Sequence, residues 1–270
     1  MEKLKDKVAI ISGASRGLGF SLAQVLGEQG MKLVITARGE ERLEDSRKKL
    51  ENMGFDVVAV PGDVGVWEDA RTIVEKTLET FGRIDLLINN AGVSMRGRFE
   101  EFSHHVYQRI VSTNLIGSIN LTLASIDFLK KTRGQILFIS SIVGLKGFPG
   151  SSVYCASKGA LKNLCESLRF ELKSSGVHAG VVYLGYTEHD PEKRIFGADD
   201  KLIAPDRPGT FSQIKAAMSI LKMIEKRKRQ LVTTPMGRIC YLAQRISPLI
   251  VEKTVFWAQK SQLGIYSKCC

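Results

Sequence analysis

The chain has 270 residues, 44% of them hydrophobic and 25% charged, with a formal net charge of +11. That length can bury a large core in one α/β domain, and there is no repeat, low-complexity tract or linker to divide it. Cys155, Cys165, Cys240, Cys269 and Cys270 form an odd set without disulfide-framework or metal-ligand spacing, which points to reduced thiols.

The first residues, Met1 to Asp6, are rich in charge, and no apolar run long enough for a signal peptide or membrane span follows. The expected location is the cytoplasm. Val8-Ala9-Ile10-Ile11 then reads as a buried strand, followed at once by Ser12-Gly13-Ala14-Ser15-Arg16-Gly17-Leu18-Gly19. A helical pattern comes next, with Leu22, Ala23, Val25 and Leu26 on its apolar side. Strand, glycine loop and helix in this order suit a dinucleotide. Gly13 permits the tight turn, Gly17 lets the backbone approach a pyrophosphate, and Gly19 lets the helix pack closely on the strand, with the anion at the helix N-terminus. A glycine turn that merely joins two elements is the plain alternative.

Further candidate strands lie near 32–37, 56–60, 85–89, 134–140, 178–184 and 230–234, separated by helical stretches. Such alternation predicts a Rossmann-type, doubly wound, mostly parallel sheet of about seven strands with helices on both faces, in one domain over 1–270. At the end of the second strand stand Ala37 and Arg38, where a carboxylate would hold the ribose hydroxyls of a cofactor lacking a 2′-phosphate. A guanidinium suits a phosphate monoester, and Arg16 would add a second cation, so NADP(H) is favoured over NAD(H).

In Tyr154-Cys155-Ala156-Ser157-Lys158, the tyrosine and lysine are one helical turn apart, so both side chains leave the same face. A nearby ammonium favours the phenolate, which makes a tyrosine a better proton shuttle near neutrality. Taken alone, the pair also fits an exposed tyrosine beside a solvated lysine.

The glycine loop 12–19, Asp63-Val64, Asn89-Asn90-Ala91-Gly92, Asn114, Ser140-Ser141 and the Tyr154 to Lys158 run stand in the order and at spacings compatible with the short-chain dehydrogenase/reductase family, which the chain resembles over about residues 5–185. Two positions depart from the family pattern: Ser12, where threonine is usual, and Leu184-Gly185, where a proline-glycine pair is common. The resemblance implies that Gly13, Ser15, Arg16, Gly17, Leu18, Gly19 and Arg38 contact the cofactor, that Asp63 and Val64 flank the adenine, and that Asn90, Ala91 and Gly92 lie along it. Tyr154, Lys158 and Thr187 complete the cofactor contacts. It further implies a reduction in which Tyr154 gives a proton to the carbonyl oxygen as hydride reaches the carbon, while Ser141 hydrogen-bonds the same oxygen. Lys158 would tune the tyrosine and Asn114 would hold a water linking the lysine to solvent. A homodimer or homotetramer is implied on the same basis.

The segment 186–212, with Tyr186, Ile195, Phe196, Leu202 and Ile203 among charges, is the expected substrate loop and lid. His104, His105, His178 and His189 lack metal-ligand pairing, and Asp199-Asp200 reads as a charged surface loop, so no metal site is expected. Between Arg207 and Cys270, twelve Lys and Arg stand against Glu225 and Glu252. Lys226-Arg227-Lys228-Arg229 reads as a solvated turn. Beyond it, Ile239, Leu242, Ala243, Ile246, Leu249 and Ile250 have helical spacing, with Arg238 and Arg245 on the other side, Pro248 bending the segment, and Val255, Phe256 and Trp257 following.

For this basic extension, 236–270, two readings stay open: peripheral contact with an anionic membrane, and packing on the core or a partner subunit. Nucleic acid is a poor partner, because aromatic residues are not interleaved with the basic ones at regular intervals. Cys269-Cys270 is not the arrangement of a prenylated tail. The expected activity is NADP(H)-dependent interconversion of a carbonyl and an alcohol on a hydrophobic, lipid- or steroid-like substrate. Reduction of a β-ketoacyl group on a carrier protein is the alternative. A cofactor-sensing binding protein without catalysis is a third, against which Ser141, Tyr154 and Lys158 argue.

Overall fold

The structure is a computed structural model that describes residues 4–188, 190, 192–205 and 211–261. His189, positions 206–210 of the expected substrate loop and the 262–270 end of the basic extension, including Cys269-Cys270, lie outside the described residues.

Among the described residues nine strands occur in chain order: β1 Val8–Ser12, β2 Lys32–Ala37, β3 Val57–Pro61, β4 Leu86–Asn89, β5 Gln135–Ser141, β6 His178–Leu184, β7 Ile195–Phe196, β8 Leu202–Ile203 and β9 Gln230–Val232. Seven of them form one parallel sheet in the order β3-β2-β1-β4-β5-β6-β9. The helices are α1 Gly17–Gly27, α2 Glu40–Asn52, α3 Trp67–Phe81, α4 His104–Val111, α5 Gly117–Thr132, α6 Ser152–Glu171, α7 Gln213–Glu225, α8 Pro235–Ile246 and α9 Pro248–Lys260.

Strand side chains alternate between two cores. Ala9, Ile11, Leu33, Ile35, Leu137 and Ile139 pack with Leu22 and Leu26 of α1 and with Ile220 and Met223 of α7. Ile10, Val34, Ile136 and Phe138 face the other way, onto Ile73 of α3, Leu121 of α5 and Leu161 of α6. Because both faces are covered, the central strands read as unbroken apolar runs, and each fully buried Leu or Ile stabilises the fold by about 1.5–3 kcal/mol relative to exposure. The chain winds outward in opposite directions from β1 and β4, which leaves a crevice beyond the carboxyl ends of the strands, where ligands bind in open α/β sheets.

Three elements differ from the sequence expectation. The last sheet strand stops at Val232 instead of 234, because Thr234 caps α8, its hydroxyl accepting the Gly237 N–H at 3.2 Å. Pro248 does not bend one long helix; it opens a separate helix after Ser247, a position where its missing N–H costs nothing. Part of the expected lid is a β7–β8 hairpin, pairing Ile195 with Ile203 and Phe196 with Leu202, and tied to the segment after β4 by Phe196 N to Ser94 O at 3.0 Å and Arg96 N to Phe196 O at 2.8 Å. Lys226 to Arg229 form the exposed turn expected after α7, and from within it Arg227 donates to the carbonyls of Arg133, Gly134 and Gly176 and clamps three chain reversals together.

Candidate active site

The loop between β1 and α1 is held by backbone bonds from Gly13 N and Ala14 N to Thr36 O. Gly13 has φ +66°, and a Cβ there would meet Ala91 Cα at 2.8 Å. A Cβ at Gly19 would lie 2.3 Å from the Gly13 carbonyl oxygen, so the helix start is pressed onto the loop. Gly17 differs. Its φ of +60° needs glycine, yet the nearest neighbour to an added Cβ is the Gln213 side chain at 3.7 Å, which leaves open space beside the backbone. The N-terminus of α1 has no side-chain cap and no acidic residue in its first turn. These residues therefore fit a pyrophosphate. The Ser12 hydroxyl accepts the N–H groups of Asn90 and Ala91, both at 3.0 Å, and donates to Ile88 O at 3.3 Å. Serine thus ties β1 to the segment after β4, while the Asn90 amide braces the loop through Ser12 O and Gly13 O.

A cleft of about 1460 Å³ runs along the strand ends and is lined by every residue assigned to the cofactor from sequence: Gly13 and Ser15 to Gly19, Arg38, Asp63, Val64, Asn90 to Gly92, Tyr154, Lys158 and Thr187. Ion pairs order the end of the cleft near Asp63 and Arg16. Asp63 binds Arg109 at 2.6 Å and receives the Gly65 N–H at 3.0 Å. Arg16 donates to Glu192 O at 2.8 Å and stands 3.5 Å from the Asp190 carboxylate, while Arg42 pairs with Glu192 at 2.8 Å. Arg42 and Arg109 were missed by sequence reasoning. Both are ordinary helix arginines whose spacing carries no signal, and only the fold turns them toward the cleft.

At the other end, α6 carries Tyr154 half-buried against Met95, Phe102, Val106 and Ile110. Lys158 is buried, its Nζ donating to Ile139 O at 2.9 Å. Burial pushes its ammonium down to about 7, with repulsion from Lys193 adding to the effect. The two serines ending β5 divide their work. Ser140 is buried and donates to the Lys158 carbonyl at 2.7 Å, a firm bond that fixes α6 to the strand. Ser141 makes only long bonds, to Leu184 O at 3.3 Å and from Val143 N at 3.4 Å, so its hydroxyl can turn to another acceptor.

Asn114 lies in a π-turn, Ser112–Ile116, between α4 and α5. Its Nδ2 donates to Val93 O at 3.0 Å and Ser157 Oγ at 2.9 Å, and its Oδ1 accepts Val93 N at 2.8 Å. Both amide hydrogens are therefore used, and the side chain braces the Gly92–Val93 backbone against α6. Ser157, also missed from sequence, relays this brace to Tyr154 O at 2.8 Å. Cys155 is buried beside them and burial raises its thiol pKa. Burial pushes the Cys165 thiol up to about 11.

A smaller pocket of about 100 Å³ lies beyond the cleft, with Ser94, Tyr154, Ser140, Leu184, Thr187, Lys193 and Ile195 common to both. Its other walls include Met95, Arg96, Ser141, Ile142 and Val143. Gly185, in the departure Leu184-Gly185, is fixed to β9's continuation by its N–H to Thr233 Oγ1 at 3.0 Å, and a Cβ there would meet Thr234. Among the described residues no group of three or more His, Cys, Asp or Glu could hold a metal ion.

A family model described as short chain dehydrogenase matches residues 7–199. The chain belongs to the short-chain dehydrogenase/reductase family. An 11-beta-hydroxysteroid dehydrogenase-like protein (4A) of Arabidopsis thaliana is 40% identical over 190 residues, 70% of this chain and 63% of that relative. This chain thus matches less than two thirds of that relative's length. Ketoacyl reductase HetN of Nostoc sp. is 29% identical over 264 residues, covering 95% of this chain and 91% of HetN. Among solved structures, an alcohol dehydrogenase from the archaeon Thermococcus sibiricus, complexed with 5-hydroxy-NADP, superposes with a TM-score of 0.73 at 27% identity, covering 84% of this chain and 95% of that one.

Proposed function

We propose that this member of the family is an NADP(H)-dependent oxidoreductase that interconverts a carbonyl and an alcohol on an apolar substrate. The observation that carries the reading is the position of Tyr154, which lines both the dinucleotide-sized cleft and the small pocket beyond it. A phenol there can serve a substrate oxygen held between the two.

The bound dinucleotide supplies or accepts the hydride. Everything else falls to the chain. Tyr154 gives a proton to the carbonyl oxygen, and Ser141, whose present bonds are long, turns its hydroxyl to the same atom, so both act where negative charge develops. Lys158 spends one N–H on Ile139 O and keeps two for the ribose hydroxyls, while its charge favours the phenolate. Asn114 acts as a positioning residue through Val93 and Ser157; the water bridge expected of it falls to groups other than its two amide hydrogens.

Arg38 and Arg16 are assigned to a 2′-phosphate. The absence of a carboxylate at Ala37 supports this, as does the archaeal relative's complex with 5-hydroxy-NADP. The pocket mixes apolar walls, Met95, Ile142, Val143, Leu184 and Ile195, with Arg96 and Lys193, and its size admits the reacting end of a larger molecule. A steroid- or lipid-like ketone, its apolar body passing outward over Ile142 and Val143, fits this arrangement, with the C-terminal helices bringing the enzyme to a lipid surface. A β-ketoacyl group on an acidic carrier protein is the second reading, favoured by the +11 charge and by Arg96 and Lys193 at the pocket. A homodimer or homotetramer completes the proposal.

Turnover of NADPH and NADH across apolar ketones and β-ketoacyl thioesters tests it. The reading predicts faster NADPH oxidation with apolar ketones, and no turnover of any carbonyl with either cofactor would overturn it.

A further inference from the structure

Helices α8 and α9 turn their apolar stripes away from the protein. On α8, Gly237 is buried and Cys240, Tyr241 and Gln244 are half-buried, a helical repeat that marks the inner face. Met236, Ile239, Leu242 and Ile246 stand outward at 66, 61, 57 and 82% exposure. On α9 the inner face is Val251, Val255 and Ala258, while Leu249, Ile250, Phe256 and Trp257 stand outward at 63–72% exposure. These eight are the densest group of exposed large apolar side chains among the described residues. A helix packed only on its own domain would show the reverse polarity.

Four of the five charged residues on these two helices are cations. Arg238, Arg245, Lys253 and Lys260 are exposed, and Lys253 and Lys260 fall within the α9 stripe, three and four residues from Ile250, Phe256 and Trp257. The single acid of the two helices, Glu252, pairs with Lys146 at 3.0 Å. A second copy of this chain on the same surface would set these cations against their own equivalents. At twelve and thirteen residues the helices are too short to cross a bilayer, and among the described residues no helix is long and apolar enough to do so.

We propose that α8 and α9 form a docking surface for an anionic lipid bilayer, their apolar residues entering the interface and Arg238, Arg245, Lys253 and Lys260 engaging lipid phosphates. The surface is joined directly to the substrate side of the fold. Gly237 packs so closely on Ile142 that a Cβ there would sit 2.9 Å from its Cγ2, and Lys146, on the loop after Ile142 and Val143, holds α9 through Glu252. Docking therefore sets the pocket wall against the bilayer, and an apolar carbonyl would enter from lipid. This delivery step rests on the proposed oxidoreductase reading; the docking itself does not.

Flotation of the full chain with vesicles of phosphatidylcholine alone, or of phosphatidylcholine with phosphatidylserine, tests the surface. The chain is expected to float with the anionic vesicles at low salt and to be released by high salt. Lys253→Glu with Lys260→Glu is expected to lower the partition coefficient at least 25-fold, at about 1 kcal/mol for each lost cation. Ile246→Asp with Leu249→Asp is expected to abolish flotation without changing the oligomeric state seen by analytical ultracentrifugation. The proposal is overturned if the parent stays with the unbound fraction at low salt, if the charge variant floats as well as the parent, or if the apolar variant dissociates an oligomer, which would give the face to a second copy. A Tyr154→Phe variant that floats normally but fails to turn over carbonyls keeps the two readings separate: loss of flotation speaks against docking alone, loss of chemistry against neither.

Discussion

Lys158 Nζ donates to the carbonyl oxygen of Ile139 at 2.9 Å, so the amine of the Tyr-x-x-x-Lys pair is anchored to a backbone dipole at the end of β5, and none of the ion pairs among the described residues involves it. An ammonium buried on those terms is held at a cost. Its pKa falls to about 7 because burial penalises the charged form and Lys193 repels it.

The sign of the resulting pH effect follows. Between about pH 7 and the ordinary lysine range the unfolded chain holds this proton and the folded chain does not, so stability rises with pH through that window and the gain is absent below it. Lys158→Met should stabilise the protein by about 0.5–2 kcal/mol at about pH 6 while abolishing turnover. Denaturant unfolding of parent and variant across pH checks this; a variant less stable than the parent at low pH would speak against a charged, poorly compensated amine.

A second consequence concerns the cofactor. An anionic dinucleotide favours the protonated amine, so binding should take up a proton and the Kd for NADPH should rise as pH climbs through about 7. Calorimetry in buffers of different ionisation enthalpy measures the uptake directly.

The two serines at the end of β5 should separate cleanly. Ser141→Ala should lower kcat about 10²–10³-fold with little change in stability. Ser140→Ala leaves the Lys158 carbonyl without its buried donor and should cost about 1–3 kcal/mol in unfolding experiments. Equal kinetic losses from both would remove the distinction drawn from their bond lengths.

Arg38→Ala should weaken NADPH about 10–100-fold and leave NADH nearly unchanged, as loss of a charge-assisted bond to phosphate requires. Glu192→Gln should act oppositely, because it removes a carboxylate that pairs with Arg42 at the same mouth. Fluorescence titration with both dinucleotides reads the two effects.

Gly19→Ala should destabilise the fold by about 1–3 kcal/mol, since the new methyl would meet backbone atoms of Gly13 and Ala14 within 2.8 Å. Gly17→Ala has room for its methyl on the protein side, so its effect should fall chiefly on cofactor Kd, alongside the strain of its positive φ.

Much of this architecture was legible because it is local. The strand–glycine loop–helix unit, the apolar runs of a doubly covered sheet and the one-turn spacing of Tyr154 and Lys158 are all written in consecutive residues. What escaped is long-range. Arg42 and Arg109 reach the cleft from ordinary helical positions, Ser157 earns its place only through Asn114, forty-three residues away, and Arg227 clamps carbonyls up to 94 residues distant. The β7–β8 hairpin escaped because two-residue strands have no period to detect, although Ile195-Phe196 and Leu202-Ile203 flank a turn. The outward polarity of α8 and α9 was visible as amphipathic spacing, but which side faced the core was not.

The central claim is that Tyr154 supplies the proton where cleft and pocket meet, and Tyr154→Phe tests it most directly. Steady-state NADPH oxidation with a carbonyl turned over by the parent should fall about 10²–10⁴-fold while the Kd for NADPH stays within about twofold. A Tyr154→Phe enzyme as fast as the parent would contradict the account.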